Sequence, residues 1–425
     1  MNITNFKWLR RLIIISIYGL GVLGIVGSGH NFDLCSDPDK FPFNCPPPPP
    51  PPPRCSGFNM QVTLVAPALD ESDDVYVGGF FTCYDNFVAN HIARFNNDGS
   101  FDTGFVTGIG FDTHPQTIAP ATDGSGDVYV GGRGLWKYNG TNIFNIVRLN
   151  LDGTLDVSFD TGTGFFNGTG SNNDVYIIAP VNDGSGDVYV GGNFTRYNGT
   201  DVGSGLIRLN KDGSINAGFD TGLAGFNGSV VDIAVATDGS GVYVGGGFSD
   251  YNGSDTKGIV RLNNDGSIDA GFDTGLAGFN GSVVDIAVAT DGSGVYVGGG
   301  FSDYNGTSTK GIVRLNNDGS LDIGFVAGAE FEGLIEIITL AIDGSGDIYA
   351  DTKFVNQIAR LFNDGSLDTG FDTGSGFSSS FGGVEIIALA TDGSGDVYVG
   401  GHFSHYNSSP VDYLVRLTAG GVLVR

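Results

Sequence analysis

Short runs in which apolar residues alternate with polar or small ones, such as VVDIAVA, VYVGGGF and GIVRLN, recur along most of the chain. Alternation with a period of two sends successive side chains to opposite sides of a strand. The Gly, Asn and Asp clusters between the runs carry turn chemistry. No stretch after residue 30 sustains an apolar period of 3.6, so the pattern predicts strands throughout. The runs are also periodic. Ala217 to Gly253 returns without a change at Ala270 to Gly306, a shift of 53 residues. A looser marker, VYVGG or a variant, starts at Val75, Val128, Val188, Val242, Val295, Ile348 and Val397. An apolar-Arg-apolar step follows each one, at Arg94, Arg148, Arg208, Arg261, Arg314, Arg360 and Arg416. Seven units of four short runs predict an all-β fold, a seven-bladed β-propeller of four-stranded blades with about 53 residues per repeat, over residues 58–425. A linear β-solenoid is the competing architecture, but its repeats are usually shorter and the chain shows no obvious caps.

Units reading LNxDGSxDxGF, then an alternating strand, then VGGxF, YNG and another Arg-Leu-Asn, resemble the bacterial delta-sixty repeat, a propeller-type domain of unknown function. The resemblance covers nearly all of residues 58–425 and implies an exported seven-bladed propeller. It brings no established activity and no catalytic residues. The chain departs from the usual pattern in its longer DGSGD turn.

Composition agrees with many short strands and tight turns: the chain has 72 glycines and only 16% charged residues. Its formal net charge is −27, and residues 58–425 hold 44 acidic against 15 basic side chains. A body this acidic repels nucleic acid and anionic lipid, and favours solubility, cations or a basic partner.

Residues 1–29 read as a secretory signal: Lys7, Arg10 and Arg11, then an apolar run from Leu12 to Val26, then Gly27, Ser28 and Gly29. As a helix the run spans about 22 Å, short of a hydrocarbon core of roughly 30 Å, which favours cleavage over a permanent anchor. Ser28 stands where a lipobox would carry cysteine, so no thioether lipid is expected. The expected location is therefore exported: periplasmic, extracellular or cell-surface. Residues 30–57 form a Cys- and Pro-rich linker in which Pro46 to Pro53 predict a polyproline rod of about 25 Å. Cys35, Cys45, Cys55 and Cys83 suggest two disulfides with three possible pairings, one of which must staple the linker to the first repeat.

In an up-and-down blade, successive turns alternate between the two faces of the disc. That places the DGSGD and NDGS turns on one face, and the YNG turns with the FDTG-to-FNG crossings on the other. Asp-x-Ser-x-Asp recurs at Asp70, Ser72 and Asp74; at Asp123, Ser125 and Asp127; and at Asp183, Ser185 and Asp187. It returns at Asp343, Ser345 and Asp347 and at Asp392, Ser394 and Asp396, while the copies beginning at Asp238 and Asp291 lack the final Asp. Alternating oxygens in a Gly-rich loop suit Ca²⁺, the one cofactor the pattern admits. Plain turn chemistry explains the same letters, and no loop supplies a bidentate Glu. On the other face Tyr84, Tyr138, Tyr197, Tyr251, Tyr304 and Tyr406 recur, with Trp136 added in the second unit. Flat aromatics beside amides suit sugar rings or protein hot spots, although each Tyr could instead brace its own hairpin. The sixth unit is shortened, which predicts a notch beside Asp351 and Lys353.

Catalytic patterns fail on spacing. FDTG resembles the pepsin-like active-site motif, but that chemistry needs two converging aspartates, whereas here the motif falls one per unit. His402 and His405 would point to opposite sides of a strand. The repeated Arg predicts a repeated partner, the Asp of SIDAGF or FDTG, in an ion pair that locks blade to blade. The expected function is an exported, non-enzymatic scaffold that binds a protein or carbohydrate at the cell surface. The rivals are a polysaccharide-acting enzyme with a site at the central channel and a calcium-stabilised structural protein.

Overall fold

The computed structural model describes residues 55–424 apart from 168–173, 276, 332, 353–357 and 379–382. The signal, most of the linker, Cys35, Cys45 and Lys353 lie outside the described residues. Seven antiparallel sheets follow one another along the chain, each built from contiguous sequence. In the fourth, Val230–Val235 pairs with Gly241–Gly246, which pairs with Ile259–Asn263. The first strands of the seven units are Val62–Pro67, Thr117–Pro120, Asp174–Pro180, Val230–Val235, Val283–Val288, Ile338–Leu340 and Val384–Leu389. Each of these packs against the corresponding strand of its neighbours, and Val62–Pro67 packs against Val384–Leu389, so they form the innermost ring and close it.

The expected fourth strand is shorter than the alternation suggested. It survives as a single bridge in each blade, for example Leu149↔Leu155 and Leu262↔Ile268. The reason lies in the residues that follow: Asp269 accepts the Gly271 N–H on its side chain and the Phe272 N–H on its carbonyl, which curls the chain out of the sheet after one pair.

Apolar side chains fill the spaces between sheets. One cluster joins Ala179 and Tyr189 of blade 3 to Val230, Ile233 and Val244 of blade 4. The glycine after VYV serves this packing: a Cβ on Gly245 would sit 2.6 Å from Cδ1 of Ile286 in the next blade. Blade 6 carries Asp351 at that position. A short 3₁₀ turn, Ala329–Phe331, leads into this blade and buries Phe331.

Among the described residues no sheet mixes strands from the two ends of the chain, and at the seam side chains pack: Val62, Val65 and Val77 meet Ala388, Ala390 and Tyr398. The seam has one further fastening. In blades 2–5 and 7 a Phe arriving from the preceding blade pairs with the hairpin Tyr, as in Phe111↔Tyr138 and Phe226↔Tyr251. Blade 1 has no predecessor, and Phe58 fills the place from the N-terminal side. Cys55, three residues before it, is joined to Cys83 in the hairpin, which is the staple expected between linker and first repeat.

Candidate functional site

The strongest repeated feature is the arginine. Arg148 is 1% exposed and meets three carboxylates of its own blade: Asp123 at 2.6 Å, Asp127 at 3.0 Å and Asp156 at 3.6 Å. Its guanidinium lies 5.3 Å from the centre of the Tyr129 ring, and the same Arg-over-Tyr stack recurs in all seven blades. The Asp of SIDAGF is thus a partner, as expected, but it shares the arginine with the DGSGD loop. The pairing also stays within one blade. The expectation that it locks blade to blade is corrected, because loop, outer strand and returning turn all belong to the same unit. Contact with the next blade falls to the tyrosine, since the Tyr129 hydroxyl donates to the Gly186 carbonyl at 2.7 Å, and in blade 2 it falls also to Asp123, which pairs with Lys211 of blade 3 at 2.7 Å.

This arrangement occupies the loop oxygens proposed for Ca²⁺. In blade 2, Asp123 Oδ1 accepts from the Ser125 N–H and hydroxyl, and Ser125 Oγ accepts from the Asp127 N–H. Asp183, Ser185 and Asp187 repeat the loop around Arg208, Asp343, Ser345 and Asp347 around Arg360, and Asp392, Ser394 and Asp396 around Arg416. Burial alone would raise the Asp392 pKa, yet its bonds to Ser394 and Arg416 outweigh that and hold it down at about 2. Among the described residues, no group of three or more His, Cys, Asp or Glu is arranged to hold a metal ion.

The tyrosine face is corrected more strongly. Tyr138, Tyr197, Tyr251, Tyr304 and Tyr406 are fully buried and offer no ring face to a ligand. Each hydroxyl donates to the glycine carbonyl of its own blade's return turn: Tyr138 to Gly153, Tyr197 to Gly213 at 2.6 Å, Tyr251 to Gly266 at 2.6 Å, Tyr304 to Gly319 and Tyr406 to Gly421. The tight turn explains the geometry. Asn252 and Gly253 both have positive φ, 50° and 82°, so the hairpin folds back and its Tyr turns inward. Asn252 then reaches the crossing segment, where its Oδ1 accepts from the Gly225 N–H at 3.0 Å. The YNG hairpin is therefore tied by Tyr251 to the return turn of its own blade and by Asn252 to the crossing from the preceding one.

Asp351 is also turned inward. It is buried, and its Oδ1 accepts the N–H groups of Glu336 at 2.9 Å and Ile337 at 3.0 Å, so it is a bracket for the innermost strand and no wall of a notch. The FDTG aspartates close local turns, as Asp220 does for Gly222. His402 stacks beside Tyr413 while His405 lies next to Ser404, and nothing joins the two histidines.

An outward-facing aromatic stands at the place where blade 2 departs from the repeat. The VYVGG strand of this blade runs on as RGLWKYNG, one residue longer than in blades 1 and 3, with Gly134 at φ 67° taking up the extra residue. Trp136 stands where the other hairpins carry Thr82, Thr195, Ser249, Ser302 and Ser404, and it is 48% exposed. Its backbone N–H donates to Asp112 Oδ1 at 3.2 Å, and two residues beyond that aspartate, His114 stacks on Phe80 at 3.7 Å. Arg133, 59% exposed, lies 3.6 Å from the buried Asp174 at the start of blade 3. Trp136 is thus joined through Asp112 to the segment whose His114 packs on Phe80 of blade 1, while Arg133 of the same hairpin approach faces Asp174 of blade 3. The sequence singles out Trp136 because it breaks the repeat; Phe80, His114 and Arg133 break it as well and were not singled out.

The family described as "Domain of unknown function (DUF5122) beta-propeller" matches seven times, at residues 72–105, 124–159, 184–219, 241–272, 294–325, 342–371 and 389–423. No curated protein sequence matches. Among solved structures, the WD40 β-propeller domain of Doa1 is similar with a TM-score of 0.50 at 17% identity, over 85% of this chain and 93% of that one. At that identity the likeness concerns the fold alone.

Proposed function

Because the chain belongs to the DUF5122 β-propeller family, we propose that it is an exported, non-enzymatic binding scaffold whose ligand is a protein gripped by the blade 1–3 surface around Trp136. One observation carries this reading. The repeated arginines, hairpin tyrosines and YNG asparagines are engaged inside the blades as clasps, braces and latches. The exposed Trp136, by contrast, occupies a position that is Ser or Thr in the other hairpins. Trp and Arg dominate protein-binding hot spots, and a flanking acidic body favours a basic partner. The proline-rich linker would hold this surface away from its attachment.

The test is capture from the native extracellular fraction with the wild type, Trp136→Ala and Tyr138→Phe. The wild type and Tyr138→Phe should retain the same protein, and Trp136→Ala should lose it at least about tenfold, the loss of one hot-spot side chain. Equal capture by all three removes this surface, and capture of glycan alone moves the ligand class to carbohydrate. N-terminal sequencing of the secreted protein, beginning after Ser28 or Gly29, checks export.

A further inference from the structure

The duplication that makes blades 4 and 5 alike places the same residue at the same point of two adjacent innermost strands, Asp232 and Asp285. The other blades carry Leu64, Thr117, Ile177, Ile337 and Ile386 at this point. It lies just after a bulge, where the strand skips a pairing between Val230 and Asp232 and between Val283 and Asp285. The bulge exposes a backbone N–H to the preceding blade. In blade 3 that N–H, on Ile178, is met by the Thr117 hydroxyl at 3.2 Å. In blades 5 and 6 a carboxylate does the same work. Asp232 Oδ2 accepts from Ile286 N–H at 2.7 Å, and Asp285 Oδ2 accepts from Ile338 N–H at 2.5 Å.

The coincidence is that Asp285 Oδ1 also accepts from the Ile286 N–H, at 2.9 Å. Two carboxyl groups therefore converge on one donor, between two blades, with no guanidinium or ammonium among their principal partners. Within Val230–Val235, Val283–Val288 and Ile338–Leu340 these two are the only acidic or basic residues, and Glu336, beside the last, is exposed; on the strands packed against them stand two further buried acids, Asp351, which accepts from the Glu336 and Ile337 N–H groups, and Asp174, which faces Arg133. Two like charges at this separation cannot both persist without a counter-ion. A carboxylic acid and a carboxylate satisfy the geometry, with the proton between them.

We propose that Asp232 and Asp285 share one proton and form an acid-closed lock joining blades 4, 5 and 6. In it the Asp232 and Asp285 oxygens hold the bulge amides Ile286 and Ile338, and loss of the shared proton sets the two charges against each other and loosens these interfaces. A paired catalytic role does not fit, because both oxygens of Asp285 and one of Asp232 are already engaged by backbone N–H groups.

Burial, and then the Asp232 charge, push Asp285 well above its ordinary 3.8, and burial likewise raises Asp232. The folded protein thus keeps a proton that the unfolded chain has released. The resulting stabilisation is full below the ordinary carboxylate value and is lost as pH rises through the folded value. The Arg-clasped carboxylates act in the opposite sense, so the experiment is a difference between variants. Unfolding midpoints are measured for the wild type and Asp285→Asn at pH 3.8 and at about pH 8. The asparagine amide donates to Asp232 as the protonated acid does, its oxygen keeps the Ile338 N–H, and the Ile286 N–H retains Asp232 Oδ2 as its acceptor. Near pH 3.8 the two should differ little; at about pH 8 Asp285→Asn should be the more stable, its folded-to-unfolded ratio higher by about tenfold or more. An equal difference at both values, or a less stable Asp285→Asn at the higher one, overturns the proposal. Carboxyl ¹³C titration of wild-type protein labelled at Asp gives a second reading that needs no variant. One carboxyl signal should stay in its protonated position into the neutral range and disappear in Asp285→Asn. Ionisation of every carboxyl by the ordinary range overturns the proposal as well.

Discussion

Arg148 and Arg261 stand at the same strand position and stack on equivalent tyrosines, yet they are held differently. Arg148 has three carboxylates within 3.6 Å. Arg261 has Asp269 and the Ser240 hydroxyl, and its loop aspartate, Asp238, lies 4.0 Å away. The cause is one residue of loop. Blade 2 turns through DGSGD and brings a second aspartate, whereas blade 4 turns through DGSG and goes straight into its middle strand. Arg148 is 1% exposed and Arg261 15%. The lesson is that the blade tolerates a range of clasps around a constant arginine, because the Tyr stack is kept in every blade while the SIDAGF aspartate gives way to Asn216 in blade 3 and Val424 in blade 7.

The sharpest way to probe that contrast is to remove the cation from each. Arg148→Met keeps the aliphatic packing on Tyr129 but takes the cation from Asp127 and Asp156 and leaves Asp123 only Lys211, and should cost about 3–5 kcal/mol, the usual result of breaking a buried pair from one side. Arg261→Met strands one strong partner in a wetter site and should cost less than half of that, about 1–2 kcal/mol. Denaturant midpoints of the two variants decide it, and equal losses would show that the second loop aspartate adds nothing.

A smaller effect tests the tyrosine brace that both blades share. Tyr138→Phe removes the bond to the Gly153 carbonyl while keeping the ring, and should cost about 1–2 kcal/mol because a buried acceptor is left unpaired. A neutral result would mean that packing alone seats the ring.

The smallest effect expected is that of a chelator. With the loop carboxylates of blade 2 held by Arg148 and those of blade 4 reduced to one, a chelator should leave the melting midpoint unchanged. A fall on chelation would return the DGSGD loops to calcium and make blade 2 the binding blade and blade 4 the defective one.

These contrasts also show what the sequence could carry. Seven units, their strand order and the Arg–Asp partnership were legible because period and turn chemistry are local, and the repeat prints them seven times. The fourth strand was overestimated, since SIDAGF alternates like a strand but its Asp takes up two backbone N–H groups and bends the chain away. The tyrosines were misplaced for a related reason: parity tells which end of a strand a hairpin leaves from, but not that Asn252 and Gly253 will fold it back over its own blade. Asp232 and Asp285 were hidden altogether. Each looks like the polar member of an alternating strand, and only the bulge and the meeting of neighbouring blades bring them to one amide.

The seam between blades 7 and 1 has a genetic consequence. Since among the described residues every sheet is completed by contiguous residues and none is shared between the ends of the chain, a tandem duplication of 53 residues delivers a whole blade with both of its packing faces already matched. The identical tract in blades 4 and 5 has the form such an event leaves behind. Copying also set an acid beside its own twin, an arrangement that no single blade contained.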